Sequence, residues 1–194
     1  VLHDKRDLLL HVCCAPCATA VFEALVKEFT VTAFFYNPNI HPDTEYQKRL
    51  EHLQRLCRMQ DIALVIADYD DVFWLGQTTG FEHEPEGGSR CSVCFKIRLV
   101  RTVEAAQAMG IETVATTLSV SPHKNACLIN DIGWNAAQGT GITFLDRDFK
   151  KQDGYRKSCE LSRQYGLYRQ NYCGCLYSLP MKSGHGTQGS QESF

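Results

Sequence analysis

Three groups of cysteines carry the chemistry this sequence could do: Cys13-Cys14-x-x-Cys17, Cys91-x-x-Cys94 and Cys173-x-Cys175. Thiolates are nucleophiles and ligands for soft metals, whereas adjacent cysteines are a poor way to build a core. A CxxC at a loop-to-helix junction brings both sulfurs toward one point, as zinc and iron–sulfur sites require. One such motif is weak evidence, but CC-x-x-C together with a separate CxxC points to a bound metal or cluster. Zinc and an iron–sulfur cluster both accept four thiolates, so ligand count does not choose between them. Cys173 and Cys175 could close a strained, reducible disulfide, or they could be two more ligands or inert thiols. Cys57, Cys127 and Cys159 are single cysteines within helical patterns and read as core or inert thiols.

These residues need elements to position them. Asp7 to Cys13 is an apolar run that predicts a strand buried on both faces, and Pro16 suits the first turn of a following helix, Ala15 to Phe29. The first cysteines then lie at a helix N-terminus, where free N–H groups and the dipole favour the thiolate. Thr30 to Tyr36 predicts a second strand ending at Asn37-Pro38-Asn39. Tyr46, Leu50, Leu53 and Cys57 mark one face of a helix over Pro42 to Gln60, and Ile62 to Ala67 a third strand. Asp68 to Ser89 reads as less regular, its proline and paired glycines leading as a loop into Cys91 and Cys94. A helical stripe through Phe95, Leu99, Val103 and Ala106 stops at Gly110. Glu112 to Leu118 is a fourth strand, breaking into the polar loop Ser119 to Asn125. A helix over Lys124 to Gln138, a short strand over Gly141 to Leu145 and a helix around Arg156 to Tyr165 complete the pattern.

Strands alternating with helices argue for an α/β fold: a Rossmann-like parallel sheet of about five strands flanked by helices. Sites in such sheets gather outside the carboxyl ends of the strands. The Cys13–Cys17 segment, Asn37-Pro38-Asn39 and the Ser119–Asn125 loop should therefore face one crevice. No GxGxxG or Walker loop is present, which lowers the odds of a dinucleotide cofactor. Residues 1–177 read as a single α/β catalytic domain, and 178–194 as a polar, disordered tail.

Ten cysteines in 194 residues fit either a secreted disulfide framework or metal and redox chemistry in a reducing compartment. Vicinal cysteines suit separate disulfides badly, and the apolar start is interrupted by His11, Pro16 and three cysteines. The expectation is a cytoplasmic protein without membrane association, since no run approaches the roughly 18 apolar residues of a span. The net charge of −2 hides a segment, Arg147 to Arg169, with seven basic residues against three acidic ones. That asymmetry is weak evidence for a polyanionic partner, and a solvated helix face is the blander account.

Five motifs together resemble the QueH family of cobalamin-independent epoxyqueuosine reductases. They are Leu10-His11-Val12-Cys13-Cys14-Ala15-Pro16-Cys17, Arg90 to Phe95, Ser121-Pro122-His123-Lys124-Asn125, Asp148-Phe149-Lys150-Lys151 through Tyr155, and Tyr168 to Cys175. The resemblance implies reduction of epoxyqueuosine to queuosine at the wobble position of tRNA, the last step of queuosine synthesis. It implies a [4Fe-4S] cluster on Cys13, Cys14, Cys91 and Cys94, and a redox-active pair, Cys173 with Cys175. It further implies a second iron beside the cluster in some members, with Cys17 the leading candidate to serve that iron or the substrate. The fold it implies is similar to the nucleotide-binding α/β domains of tRNA-thiolating enzymes.

Removing an epoxide oxygen as water takes two electrons and two protons, so an electron donor, of unknown identity, is a required partner. His123, Lys124, Asp148 and Tyr155 are residues of the right type to supply a proton. Lys124, Arg147, Lys150, Lys151, Arg156 and Lys157 are candidates for tRNA phosphates, and Tyr155 for base stacking. Two rival readings remain. A metal-free thiol–disulfide oxidoreductase on Cys14-x-x-Cys17 leaves Cys91-x-x-Cys94 unexplained. A zinc-stabilised RNA-binding module is weakened by a chain long enough to fold without zinc.

Overall fold

A strand covered by helices on both faces has no polar side to show, which is why continuous apolar runs become central strands. In a computed structural model that describes residues 5–179, Leu8, Leu9 and Leu10 are fully buried in β1 (Arg6–His11) at the centre of the sheet. Around it stand β2 (Phe29–Phe35), β3 (Ala63–Ile66), β4 (Thr113–Thr116) and β5 (Thr143–Phe144). The order is β3-β2-β1-β4-β5, and every pairing is parallel. Side chains alternate faces along a strand. Leu8 and Leu10 enter one core with α1 (Ala15–Leu25) and α2 (Asp43–Gln60), while Leu9 enters the other with α4 (Ser89–Met109) and α5 (Ala126–Ala137). The last helix, α6 (Gly154–Gln164), packs on α1.

The chain leaves β1 toward β2 on one side and returns through β4 on the other. The strand order therefore reverses between β1 and β4, where α/β sheets open a crevice. Cys13 and Cys14 follow β1 directly, and a buried 3-10 turn, Thr117–Val120, follows β4. Pro16 lies in the first turn of α1 with Cys14 as its N-cap residue. That arrangement is the one expected from the sequence.

The structure corrects the sequence reading after β3. The stretch after β3 contains α3 (Asp71–Thr78), whose Trp74 is fully buried. The helix after it begins at Ser89, where the irregular stretch was expected to end, so Cys91 and Cys94 lie in its first two turns at the loop-to-helix junction. Cys57 is buried as a core thiol, and Cys127 is exposed on α5, which leaves it the inert alternative. Leu176–Ser178 form a 3-10 turn, and the expected disordered tail lies, from residue 180, outside the described residues. No helix among the described residues is long and apolar enough to cross a membrane.

Candidate active site

The crevice at the switch point is a cavity of about 360 Å³ whose lining includes Cys13, Cys17, Asn39, His123, Lys124 and Cys173. The three segments that the sequence placed at strand ends therefore do meet there. The sulfurs of Cys13, Cys14 and Cys17 all lie within 4.8 Å of one another. A helix turn brings Cys14 and Cys17 to one face, and Cys13 directly precedes them, just past the end of β1. Cys91 packs against the same side-chain cluster as Cys13 and Cys14, while Cys94 sits with Trp74 and Cys175, against which Cys173 packs. All ten cysteines are free thiols.

Ionisation is shared unequally within the trio. Hydrogen bonds from the Cys14 and Cys17 thiols hold Cys13 well below its ordinary value, against the effect of burial. The same bonds leave Cys14, beside Cys13, pushed up to about 11, and Cys17 raised well above the thiol range. Burial pushes Cys175 up to about 11 and also raises Cys91 and Cys94. Lys124 is half-buried at the crevice. Burial works to lower it, but the sulfurs of Cys173, Cys13 and Cys17 outweigh that and raise it above its ordinary value.

Donors from elsewhere in the chain are aimed at particular sulfurs. Thr117 Oγ1 donates to Cys13 Sγ at 3.4 Å, Gln170 Nε2 to Cys14 Sγ at 3.0 Å, and the Gly87 N–H to Cys91 Sγ at 3.2 Å. Burial raises Cys94, and the Arg98 charge nearby opposes that effect; Trp74 packs beside the same sulfur with its buried Nε1 unpaired. Among the described residues no hydrogen bond from outside the motif reaches Cys17, although the charges of Lys124 and Arg169 lie near it. Beneath the sulfurs, His11 is fully buried and held down to about 3 by burial, with Arg98 adding to the effect. Its neutral ring bonds Thr116 Oγ1 through Nδ1.

Cys173 is brought to the crevice by a clamp that sequence reasoning did not find. Arg49 of α2, buried and paired with Glu45, donates to the Cys173 and Tyr172 carbonyls at 2.9 and 3.3 Å. His41 N donates to the Gly174 carbonyl at 2.7 Å, and the Tyr172 hydroxyl to the His41 carbonyl at 2.6 Å. Gly174 adopts φ +101°, and a Cβ there would stand 2.9 Å from Arg49 Nη1. Only glycine meets both demands.

Of the proton-donor candidates, His123, Lys124 and Tyr155 line the crevice. Asp148 does not; it lies 3.9 Å from Lys150 Nζ and caps the Lys150 N–H. The basic residues divide similarly. Arg147 forms a two-pronged pair with Glu28, Arg156 pairs with Asp153, and Lys157 with Glu23. Lys150 Nζ donates to the Lys124 carbonyl at 2.8 Å and so braces the 121–125 loop. Lys151 is exposed without a carboxylate partner among the described residues. Arg169, outside the set expected from the sequence, lies over the Tyr155 ring at the crevice.

Comparison with known proteins places this geometry. The family model described as epoxyqueuosine reductase QueH matches residues 8–181. The chain is 41% identical over 184 residues to the epoxyqueuosine reductase QueH of Streptococcus pyogenes serotype M1, covering 92% of this chain and 72% of that one. To the protein of the same name from Thermotoga maritima it is 37% identical over 176 residues, covering 89% and 90%. Among solved structures it is similar to the U34-tRNA thiolase NcsA from Methanococcus maripaludis with its [4Fe-4S] cluster, at a TM-score of 0.59 and 15% identity. That likeness covers 92% of this chain and 63% of the thiolase, and shows the fold.

Proposed function

This chain belongs to the QueH family of epoxyqueuosine reductases, and from that premise we propose how its residues divide the work. The reaction reduces epoxyqueuosine in tRNA to queuosine. Two electrons and two protons convert the epoxide to an alkene and release its oxygen as water. Oxidation of the Cys173–Cys175 dithiol to a disulfide supplies that number of each, and an external donor then restores the dithiol.

The observation that carries the division is the distribution of donors around the sulfurs. Cys13, Cys14 and Cys91 each accept a hydrogen bond from an N–H or O–H outside the cysteine motifs, Cys94 lies beside the Arg98 charge, and no such hydrogen bond reaches Cys17 among the described residues. Hydrogen bonds to ligand sulfurs stabilise an anionic cluster and tune its potential. This donor set fits a [4Fe-4S] cluster on those four thiolates. Those four thiolates, two from each motif, would hold it. When bound, it supplies single-electron transfer at low potential.

Cys17, nearest the cluster residues yet outside the four, serves a second iron or the substrate in this reading. Lys124 and Tyr155 face the opening and orient the substrate, with Lys124, His123 and Tyr155 the groups able to deliver a proton to the departing oxygen. The wobble nucleotide reaches the crevice splayed out of its loop, with Lys151 and Arg169 meeting phosphates and Tyr155 stacking. Arg147, Arg156 and Lys157, already paired, contribute less.

Mass spectrometry of tRNA nucleosides tests the reading. Anaerobically purified brown protein, given epoxyqueuosine-containing tRNA and a reductant, should yield queuosine. Cys173→Ser should keep its iron and yield none. Queuosine formation by that variant would remove the dithiol from the reaction, and colourless zinc protein would favour an RNA-binding module instead.

A further inference from the structure

Arg98 is the least expected charge in the molecule. It projects from α4 one turn after Cys94, is 2% exposed, and lies at the base of the crevice. Its guanidinium is tied to neutral groups only: Nε donates to His11 Nε2 at 3.3 Å and Nη2 to Asn37 Oδ1 at 2.6 Å. Both acceptors are themselves fixed, His11 by Thr116 and Asn37 by its own bond to the Val12 carbonyl at 2.9 Å. None of the six ion pairs among the described residues involves Arg98.

A guanidinium does not deprotonate in a protein, and a buried cation without an anion is strongly disfavoured. The groups near it that can carry negative charge are sulfurs, those of Cys94 and Cys13. Lys124, the other cation at these sulfurs, also lacks a carboxylate partner among the described residues. A tRNA phosphate is a poor candidate for the missing anion. Arg98 is held at the floor by two bonds, whereas Lys124 and Arg169 stand where a phosphate would arrive.

We infer that Arg98 is the fixed counter-charge of the anionic cluster carried by the four thiolates, and that it sets the reduction potential of that cluster. The inference rests on the cluster reading above. Reduction adds one electron and one negative charge to the cluster. A cation held nearby stabilises the reduced form more than the oxidised form, so it raises the potential. Arg98 touches no substrate in this account and acts through the sulfurs.

The test is an EPR-monitored redox titration of anaerobically reconstituted protein, with iron counted per chain and tRNA affinity measured in parallel. Arg98→Gln should load four irons and show about tenfold less reduced cluster at a fixed potential, a fall of about 59 mV for one electron. Arg98→Lys should restore most of that loss. Asn37→Asp places a carboxylate against the guanidinium and should lower the potential in the same direction, which decides the matter if Arg98→Gln fails to load. Unchanged potentials in the loaded variants would overturn the inference. Weakened tRNA binding at an unchanged potential would do so too, and would make Arg98 a phosphate ligand. Wild-type protein that takes up no cluster would instead sink the reading on which the inference rests.

Discussion

At the scale of single residues, spacing and surroundings disagree about Cys17. Its sulfur lies within 4.8 Å of those of Cys13 and Cys14, yet hydrogen-bond donors from outside the motifs reach Cys13, Cys14 and Cys91 and, among the described residues, not Cys17. Proximity of reduced thiols costs nothing to arrange on one helix turn, whereas a donor brought from Gln170 or Thr117 requires the whole fold. The donors are therefore the stronger evidence. Cys17→Ser should retain full iron and visible absorption after anaerobic purification but lose turnover; Cys14→Ser should lose most of its iron. Iron loss on changing Cys17 would make it a ligand and displace one of the four. The cysteines themselves were legible in the sequence because their spacing is local. Gln170, Thr117 and Arg98 were not, since a residue more than 100 positions from the sulfur it meets, or an arginine on a helix stripe, carries no local mark of its partner.

Elements were legible where their periodicity was long. The five strands and the helices over 43–60 and 89–109 follow from apolar patterning, with ends shifted by a few residues or, for the helix after the second cysteine motif, begun earlier at Ser89. The eight-residue α3 was missed because it is short, contains Gly76 and exposes Val72 and Phe73, so Trp74 is the one large apolar side chain it buries fully. The segment from Tyr172 to Cys175 has no regular structure to read, yet it is held as firmly as a strand by Arg49, His41 and the backbone of Gly174. Gly174→Ala should cost about 1–3 kcal/mol through a left-handed backbone that alanine resists, and more if Arg49 cannot move aside. Thermal unfolding should show the loss. Because the clamp positions Cys173 and not the proposed ligands, iron content should be unchanged while queuosine formation drops. A variant that melts and turns over like wild type would show that the clamp does not position the dithiol.

The whole molecule sets how a polyanion approaches. The seven basic residues from Arg147 to Arg169 suggested a broad phosphate-binding strip. The folded chain narrows it: Arg147, Arg156 and Lys157 answer carboxylates of Glu28, Asp153 and Glu23, and Lys150 braces the loop that carries Lys124. Sequence counts charges but not their partners, because Glu23 and Glu28 belong to α1 and the chain just after it, and meet the basic segment only when α6 packs on α1. What remains of the segment is Lys151, Arg163 and Arg169, of which Arg169 lines the crevice together with Lys124, on a chain whose net charge is −2. Long-range attraction should therefore be modest, with binding governed by a few direct contacts near the crevice. Each phosphate neutralised on a single strand contributes about 0.7 to the slope of log affinity against log salt. Lys151→Glu should weaken binding of the anticodon stem-loop and flatten that slope by about this amount. Arg156→Gln, which removes a charge already matched by Asp153, should leave the slope nearly unchanged. Affinities measured between low and moderate salt separate the two, and equal slopes for both variants and wild type would show that tRNA does not lie along this edge.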